Sequence, residues 1–283
     1  MKFEKWQALG NDYLIFERER LPWELTEARI EWLCDQHFGV GADGILLLSR
    51  SQDPEFVAGL RIFNPDGSEA ELSGNGAREA ILYLRRNGWT DEDEFAISTV
   101  AGPIRPTITG ELTCSVDMGR ASTTSKDFPS GGADGRGSLE SAGRSWEFQH
   151  VSIGNPQCAI VVPAGELDGL DLGEIGPGIE ASDLFPSRTN VSFLAIDGSR
   201  VRARIFERGV GETLASGTGA SGAAVTAFLR GAPSPIVVEL EGGELGVEIS
   251  DELDVRLDGW AEPVFAGELA PELLQALAEL NGE

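Results

Sequence analysis

Cysteine, histidine and methionine are scarce in this chain. Of 283 residues, three are cysteine, two histidine and two methionine. Cys34, Cys114 and Cys158 form an odd, widely spaced set. That excludes a disulfide framework and the metal motifs built on closely spaced Cys and His pairs. Positive charge is also short, with 22 Lys and Arg against 47 Asp and Glu, for a formal charge of −25. Such an excess of acid repels phosphate backbones and anionic head groups, which argues against nucleic acid or a membrane surface as partner. No apolar run approaches the ~20 residues of a membrane span. The stretch from Met1 to Asp12 has no apolar segment of leader length, so the chain reads as soluble and cytoplasmic. There is no P-loop, no His-Glu-x-x-His and no dinucleotide-binding glycine spacing. The sequence therefore implies no metal and no cofactor.

What is present is a duplication. Hydrophobic residues make up 41% of the chain, enough for one large domain or two of about 140 residues. Gly10-Asn11-Asp12 reappears as Gly154-Asn155-Pro156, 144 residues later. Arg61-Ile62-Phe63 reappears as Arg204-Ile205-Phe206, and Ser73-Gly74-Asn75-Gly76-Ala77 as Ser216-Gly217-Thr218-Gly219-Ala220, both 143 residues later. Gly102 and Gly119 match Gly242 and Gly259, both 140 residues later. One order at near-constant spacing marks two copies of one unit.

Periodicity predicts helices over 25–38, 75–87, 217–230 and 271–280. Gly88 and Gly231 follow the middle two at the position where helices end in glycine. Strands are predicted over 44–49, 60–63, 95–100, 104–108 and 112–118 in the first half. In the second half they are predicted over 191–196, 200–206, 236–241, 244–249 and 253–257. The stretch 121–145, rich in Ser, Gly, Asp and Thr, reads as a flexible surface excursion at the domain boundary.

Ser73 and Ser216 each precede a predicted helix, with glycines just inside it. Either alone is an ordinary N-cap. Two equivalent copies offer more, because free N–H groups and the positive end of the helix dipole make each an anion site. A duplicated unit also suits inversion of a stereocentre beside a carboxylate. One group removes the proton, a second returns one to the opposite face, and the intervening negative charge needs stabilising.

Further motifs make a resemblance specific. Ala8-Leu9-Gly10-Asn11-Asp12, Gly39-Val40-Gly41-Ala42-Asp43-Gly44, Asn64-Pro65-Asp66-Gly67-Ser68-Glu69-Ala70-Glu71 and Gly74-Asn75-Gly76-Ala77-Arg78 lie in the first half. Gly154-Asn155-Pro156, Arg188-Thr189-Asn190-Val191 and Glu207-Arg208-Gly209-Val210-Gly211-Glu212-Thr213 lie in the second. Together they resemble the diaminopimelate epimerases nearly end to end. The resemblance implies an α/β (α+β) fold of two pseudo-symmetric lobes, each a curved sheet or barrel around a central helix. It sets the first lobe at 1–118, with a closing helix over 264–283 packing back on it, and the second at 119–263.

The same resemblance places the acid and base at Ser73 and Ser216. It places substrate contacts at Asn11, Asn64, Gly74, Asn75, Asn155, Asn190, Glu207, Arg208, Gly217 and Thr218. Glu207 and Arg208 would hold the far ammonium and carboxylate of a diamino acid. The plainer alternatives are a surface ion pair for Glu207 and Arg208 and turn formation for the asparagines, Asn64 above all.

The family's usual acid and base are cysteines, and here both are serine. A serine hydroxyl normally needs an adjacent base. His150 lies just before the Gly154 strand and could approach the site, although a structural role suits a lone histidine better. Cys158 falls on the opposite strand face from Asn155 and reads as core, whereas Gln157 shares the face of Asn155. Gln157 and Glu79 also depart from the family, which points to natural divergence. The expected function is cofactor-independent epimerisation of LL-diaminopimelate to the meso form, in lysine biosynthesis. The alternatives are a racemase or isomerase of another amino acid, or a catalytically silent amino acid-binding paralogue. A homodimer is left open.

Overall fold

The computed structural model describes residues 1–71 and 73–280, so the last three positions of the expected closing segment lie outside the described residues. The chain divides into two compact units, Met1–Val116 with Trp260–Glu283, and Asp117–Gly259.

The first unit begins with β1 (Lys2–Ala8), β2 (Asn11–Glu17), α1 (Glu27–Cys34), β3 (Ile45–Arg50) and β4 (Ala58–Phe63). It continues through β5 (Glu69–Ala70), α2 (Gly74–Arg86), β6 (Ile97–Thr99), β7 (Gly102–Ile104) and β8 (Pro106–Gly110), then leaves along β9 (Thr113–Arg120). The second unit starts with β10 (Arg136–Ser141), β11 (Arg144–Ser152), β12 (Pro156–Val161), α3 (Ala164–Leu167) and α4 (Leu172–Glu180). Then come β13 (Asn190–Asp197), β14 (Arg200–Glu207), β15 (Gly211–Thr213), α5 (Gly217–Phe228), β16 (Ile236–Leu240), β17 (Gly243–Ile249) and β18 (Asp254–Trp260). The chain returns to the first unit in β19 (Glu262–Glu268) and α6 (Pro271–Glu279).

Strand order in the first unit is β19-β1-β2-β3-β4-β6-β7, with β5 on β4. In the second it runs β10-β11-β12-β13-β14-β16-β17-β18, with β15 on β14. The path β1-β2-β3-β4-β6-β7 therefore repeats as β11-β12-β13-β14-β16-β17. Register repeats too. Phe63 pairs with Glu69 and Phe206 with Glu212, and the parallel pairs β2·β3 and β12·β13 align Leu14 with Ile45 and Cys158 with Val191. Even an ion pair recurs, as Arg61–Glu69 at 2.8 Å and Arg204–Glu212 at 2.7 Å. Both sheets have free ends, so each is an open sheet and not a closed barrel.

Each sheet packs on a central helix, and α3 and α4 cover further strands of the second sheet. Helix α2 lies against β1, β2 and β3, and α5 against β11 to β14, β16 and β17. Both are buried over most of their length, which requires side chains that suit apolar surroundings all round. In α5 the solution is small residues. A Cβ on Gly219 would sit 2.6 Å from Ile205 Cδ1, and one on Gly222 2.8 Å from Gln157 Cγ. In α2, Ile81, Leu82 and Leu84 are fully buried, and truncating such a leucine costs about 2–5 kcal/mol. Helix α6 packs within the first unit. Arg29, itself buried, donates to Leu277 O at 2.7 Å and Leu280 O at 2.8 Å.

Three expectations need correction. The closing helix expected over 264–283 begins only at Pro271, because 264–268 belong to β19 and pair with β1. The helix expected over 25–38 stops at Cys34, because the Asp35 carboxylate accepts from the N–H groups of His37 and Phe38, both at 2.7 Å, and turns the chain. The stretch 121–145 is not a loose excursion. Phe128 and Leu139 are buried, Phe128 packs edge-on against Phe148 at 5.3 Å, and β10 pairs with β11 along its whole length.

Candidate active site

Ser73 is the N-cap of α2. Its backbone is extended (φ −127°, ψ 123°), and its Oγ accepts from Gly76 N at 3.1 Å. The N–H groups of Gly74 and Asn75 lie in the first turn, where a helix has no internal partner for them. Tyr13, on β2, donates its phenol to Ser73 Oγ at 3.2 Å. A side-chain relay runs beside it. Arg78 Nη2 donates to Asn75 Oδ1 (2.5 Å), Asn75 Nδ2 to Asn11 Oδ1 (3.3 Å), and Asn11 Nδ2 to Asp43 Oδ2 (2.9 Å). Arg78 also holds Gly74 O at 3.0 Å, which braces the first turn of α2 from within.

Asn64 behaves as a turn former. Its N–H donates to Ser68 O at 2.8 Å, its carbonyl accepts from Gly67 N at 3.0 Å, and its side chain donates to Ser68 Oγ at 2.9 Å. Glu79 is wholly buried behind the relay. Among the described residues neither of its carboxylate oxygens has a well-formed hydrogen bond, and burial pushes its carboxyl well above the ordinary carboxylate range against the opposing pull of the Arg78 charge and the Tyr13 N–H.

Ser216 is the N-cap of α5, with φ −143° and ψ 124°, and accepts from Gly219 N at 3.3 Å. Gly217 and Thr218 occupy the positions of Gly74 and Asn75. The side-chain partner differs from that of Ser73. Ser216 Oγ donates to Glu207 Oε2 at 2.9 Å, and Thr213 steadies the other carboxylate oxygen at 2.8 Å. Asn155 donates to Thr218 Oγ1 at 3.2 Å and accepts from Gln157 Nε2 at 2.5 Å. Thus Gln157 does share the side of Asn155, while Cys158 is core, its thiol pushed well up by burial.

Asn190 is buried and accepts from Arg208 N at 2.8 Å, which fixes the turn after β14. Arg208 is exposed, and its guanidinium reaches Ser187 O at 2.8 Å. Glu207 and Arg208 form no ion pair with each other among the described residues, so the surface-pair alternative does not apply. His150 is fully buried between Phe128 and Phe185, with Nε2 on Ser125 Oγ at 2.9 Å. Burial pulls its pKa down. Its hydrogen bond goes to Ser125, and the group at Ser216 is Glu207.

The structure brings Asn11 to Asn75, next to Ser73, and Asn155 to Thr218, two residues from Ser216. Sequence reasoning missed Tyr13 and Thr213, and it missed that Glu207 touches Ser216. Tyr13 sits in the run Tyr13-Leu14-Ile15-Phe16, where it reads as one more strand residue.

The diaminopimelate epimerase family model matches residues 3–124 and 149–259. Diaminopimelate epimerase 2 of Nostoc sp. is 39% identical over 287 residues, covering 99% of this chain and 100% of that protein. Diaminopimelate epimerase of Pelotomaculum thermopropionicum is 38% identical, covering 95% and 98%. Among solved structures, a hydroxyproline epimerase from Agrobacterium vitis aligns with a TM-score of 0.64 at 16% identity, covering 99% of this chain and 98% of that one. A phenazine biosynthesis protein of Bacillus anthracis aligns with a TM-score of 0.67 at 18% identity, covering 95% and 99%. These two share the fold. With the family model spanning both units and relatives matching almost end to end, this chain belongs to the diaminopimelate epimerase family.

Proposed function

We propose that this chain converts LL-diaminopimelate to meso-diaminopimelate by two-base proton transfer at the α-carbon, without a cofactor, as a step of lysine biosynthesis. The observation that carries the reading is the 2.9 Å hydrogen bond from Ser216 Oγ to Glu207. A serine hydroxyl at a helix N-terminus gains only about 1 kcal/mol from the dipole. That is less than one pKa unit, which is worth about 1.36 kcal/mol. A carboxylate that accepts the hydroxyl proton supplies what the dipole cannot, and makes Ser216 a competent base.

Gly74 and Asn75 at the start of α2, and Gly217 and Thr218 at the start of α5, each offer N–H groups suited to a carboxylate and to the charge that develops as the α-proton leaves. Asn11, Asn155 and Asn190 shape the pocket, and Asn64 holds the turn that precedes Ser73. Arg208 is exposed and serves the distal carboxylate. The substrate is a small amino acid. Among the described residues no helix is long and apolar enough to cross a membrane. The reading places the enzyme in the cytoplasm, and sedimentation decides between monomer and homodimer.

The second reading, a silent binding paralogue, is favoured by the serines themselves. Incubation with LL-diaminopimelate in deuterated water separates the two. Loss of the α-hydrogen NMR signal with appearance of the meso form is the expected result. Calorimetric binding without exchange would establish the silent paralogue, and neither binding nor exchange would turn attention to another amino acid.

A further inference from the structure

The two serines differ in what their hydroxyls can still do. A hydroxyl has one proton to give and two lone pairs to offer. Ser73 Oγ accepts from Gly76 N at 3.1 Å and from the Tyr13 phenol at 3.2 Å. Both lone pairs are taken, and among the described residues its own proton has no acceptor, so the proton is the group left over. Ser216 Oγ accepts from Gly219 N at 3.3 Å and gives its proton to Glu207 at 2.9 Å. One lone pair remains. Ser73 is set up to donate a proton and Ser216 to take one.

The Tyr13 contact is built into the first unit. The ring is buried and sits against Gly44, where a Cβ would come within 2.7 Å of Tyr13 Cε1 and 2.3 Å of Phe63 O. Any side chain at position 44 would displace the ring. The equivalent position in the second unit is Gln157, which turns to Asn155 and leaves Ser216 to Glu207. The phenol at Ser73 is thus a feature of one unit only.

We propose that Tyr13 is the proton donor behind Ser73, so that the enzyme has an acid side, Tyr13–Ser73, and a base side, Ser216–Glu207. The proposal rests on the epimerase reading above. In the forward step the α C–H bond breaks and its proton passes to Ser216 Oγ as the hydroxyl proton of Ser216 moves to Glu207. The carbanion takes a proton from Ser73 Oγ, and Ser73 takes one from Tyr13. The turn leaves Glu207 protonated and Tyr13 as phenolate. Water resets both by removing one proton and returning the other. The reverse reaction uses the phenolate and the protonated carboxyl. A phenol, with an ordinary pKa near 10, is a far better proton source for a nascent serine alkoxide than water is. Tyr13 acts through Ser73 and is a positioning and proton-supplying residue.

The test is Tyr13→Phe, which keeps the ring in its place and leaves the Gly76 cap on Ser73. Both diaminopimelate epimers are incubated with this variant and with the unaltered enzyme in deuterated water, and inversion is followed separately from α-deuteration with retained configuration. Inversion is expected to fall by about 10²-fold, the low end for loss of a general acid. Exchange with retention is expected to persist for the epimer whose α-hydrogen meets the base side. Inversion and exchange falling together, or neither changing, would overturn the proposal while leaving the epimerase reading intact. An unaltered enzyme that neither inverts nor exchanges overturns that reading and the proposal with it. Should Tyr13→Phe not fold, a fluorinated tyrosine at position 13 decides. Inversion that follows phenol acidity while retained exchange does not supports Tyr13, and inversion indifferent to it counts against Tyr13.

Discussion

The starts of α2 and α5 are the same backbone with different neighbours. Both open at a serine of extended conformation whose Oγ caps the N–H three residues on. Both are followed by glycine-flanked first turns at positions 143 residues apart. One serine meets a phenol and the other a carboxylate. One first turn is braced by a buried arginine through Asn75, and the other is held through Thr218, Asn155 and Gln157. Duplication has kept what a helix N-terminus does for an anion. The side-chain partners of the two serines have diverged, as the proposed acid and base roles require.

Four variants break or sharpen that comparison. The largest effect is expected from Glu207→Gln, because the amide oxygen can still accept the Ser216 hydrogen bond but cannot take the proton. The kcat for LL-diaminopimelate should fall by about 10²–10⁴-fold, with KM little changed, in a steady-state assay. Next, Ser73→Cys with Ser216→Cys should raise α-hydrogen exchange by about tenfold or more, since a thiol with pKa near 8.5 is partly ionised near neutrality without help. Either single change should favour exchange over inversion, because it strengthens only one side.

Arg208→Ala should weaken binding of a diamino dicarboxylate by about tenfold or more by calorimetry, the 1.5–3 kcal/mol of a charge-assisted hydrogen bond. The smallest effect is on stability. The folded-state pKa of Glu79 is raised above its unfolded value by burial. The resulting cost is absent below the unfolded pKa of about 4.3 and grows as pH rises above it. Glu79→Gln should therefore melt at a higher temperature than the unaltered protein at pH 7, and the gain should vanish near pH 4.

The duplication, the central helices and most paired strands were legible because motif spacing and apolar period are properties of the chain. The elements that escaped were those whose composition conceals burial. Helix α4 contains Gly173, Gly176, Pro177 and Gly178, a composition that gave no helical signal, yet Leu172 and Ile179 are fully buried. Strand β19 shows mostly exposed residues and forms by pairing with β1, from Lys2 with Glu268 to Gln7 with Glu262. The region before β11 is polar in sequence but anchored by Phe128 and Leu139. At the site, the serines and asparagines stood out through repetition. Tyr13 and the Glu207–Ser216 contact did not, because each depends on side chains meeting across the fold and neither repeats in the other unit.

The inequivalence of the two serines can be measured most directly by comparing Ser73→Ala with Ser216→Ala in deuterated water, each incubated with LL- and meso-diaminopimelate near neutral pH. With Ser216 and Glu207 intact, Ser73→Ala should still exchange the α-hydrogen of one epimer, with no inversion. With the base side gone, Ser216→Ala should exchange little of either. Equal residual exchange in the two variants, or the reverse pattern, would contradict the account.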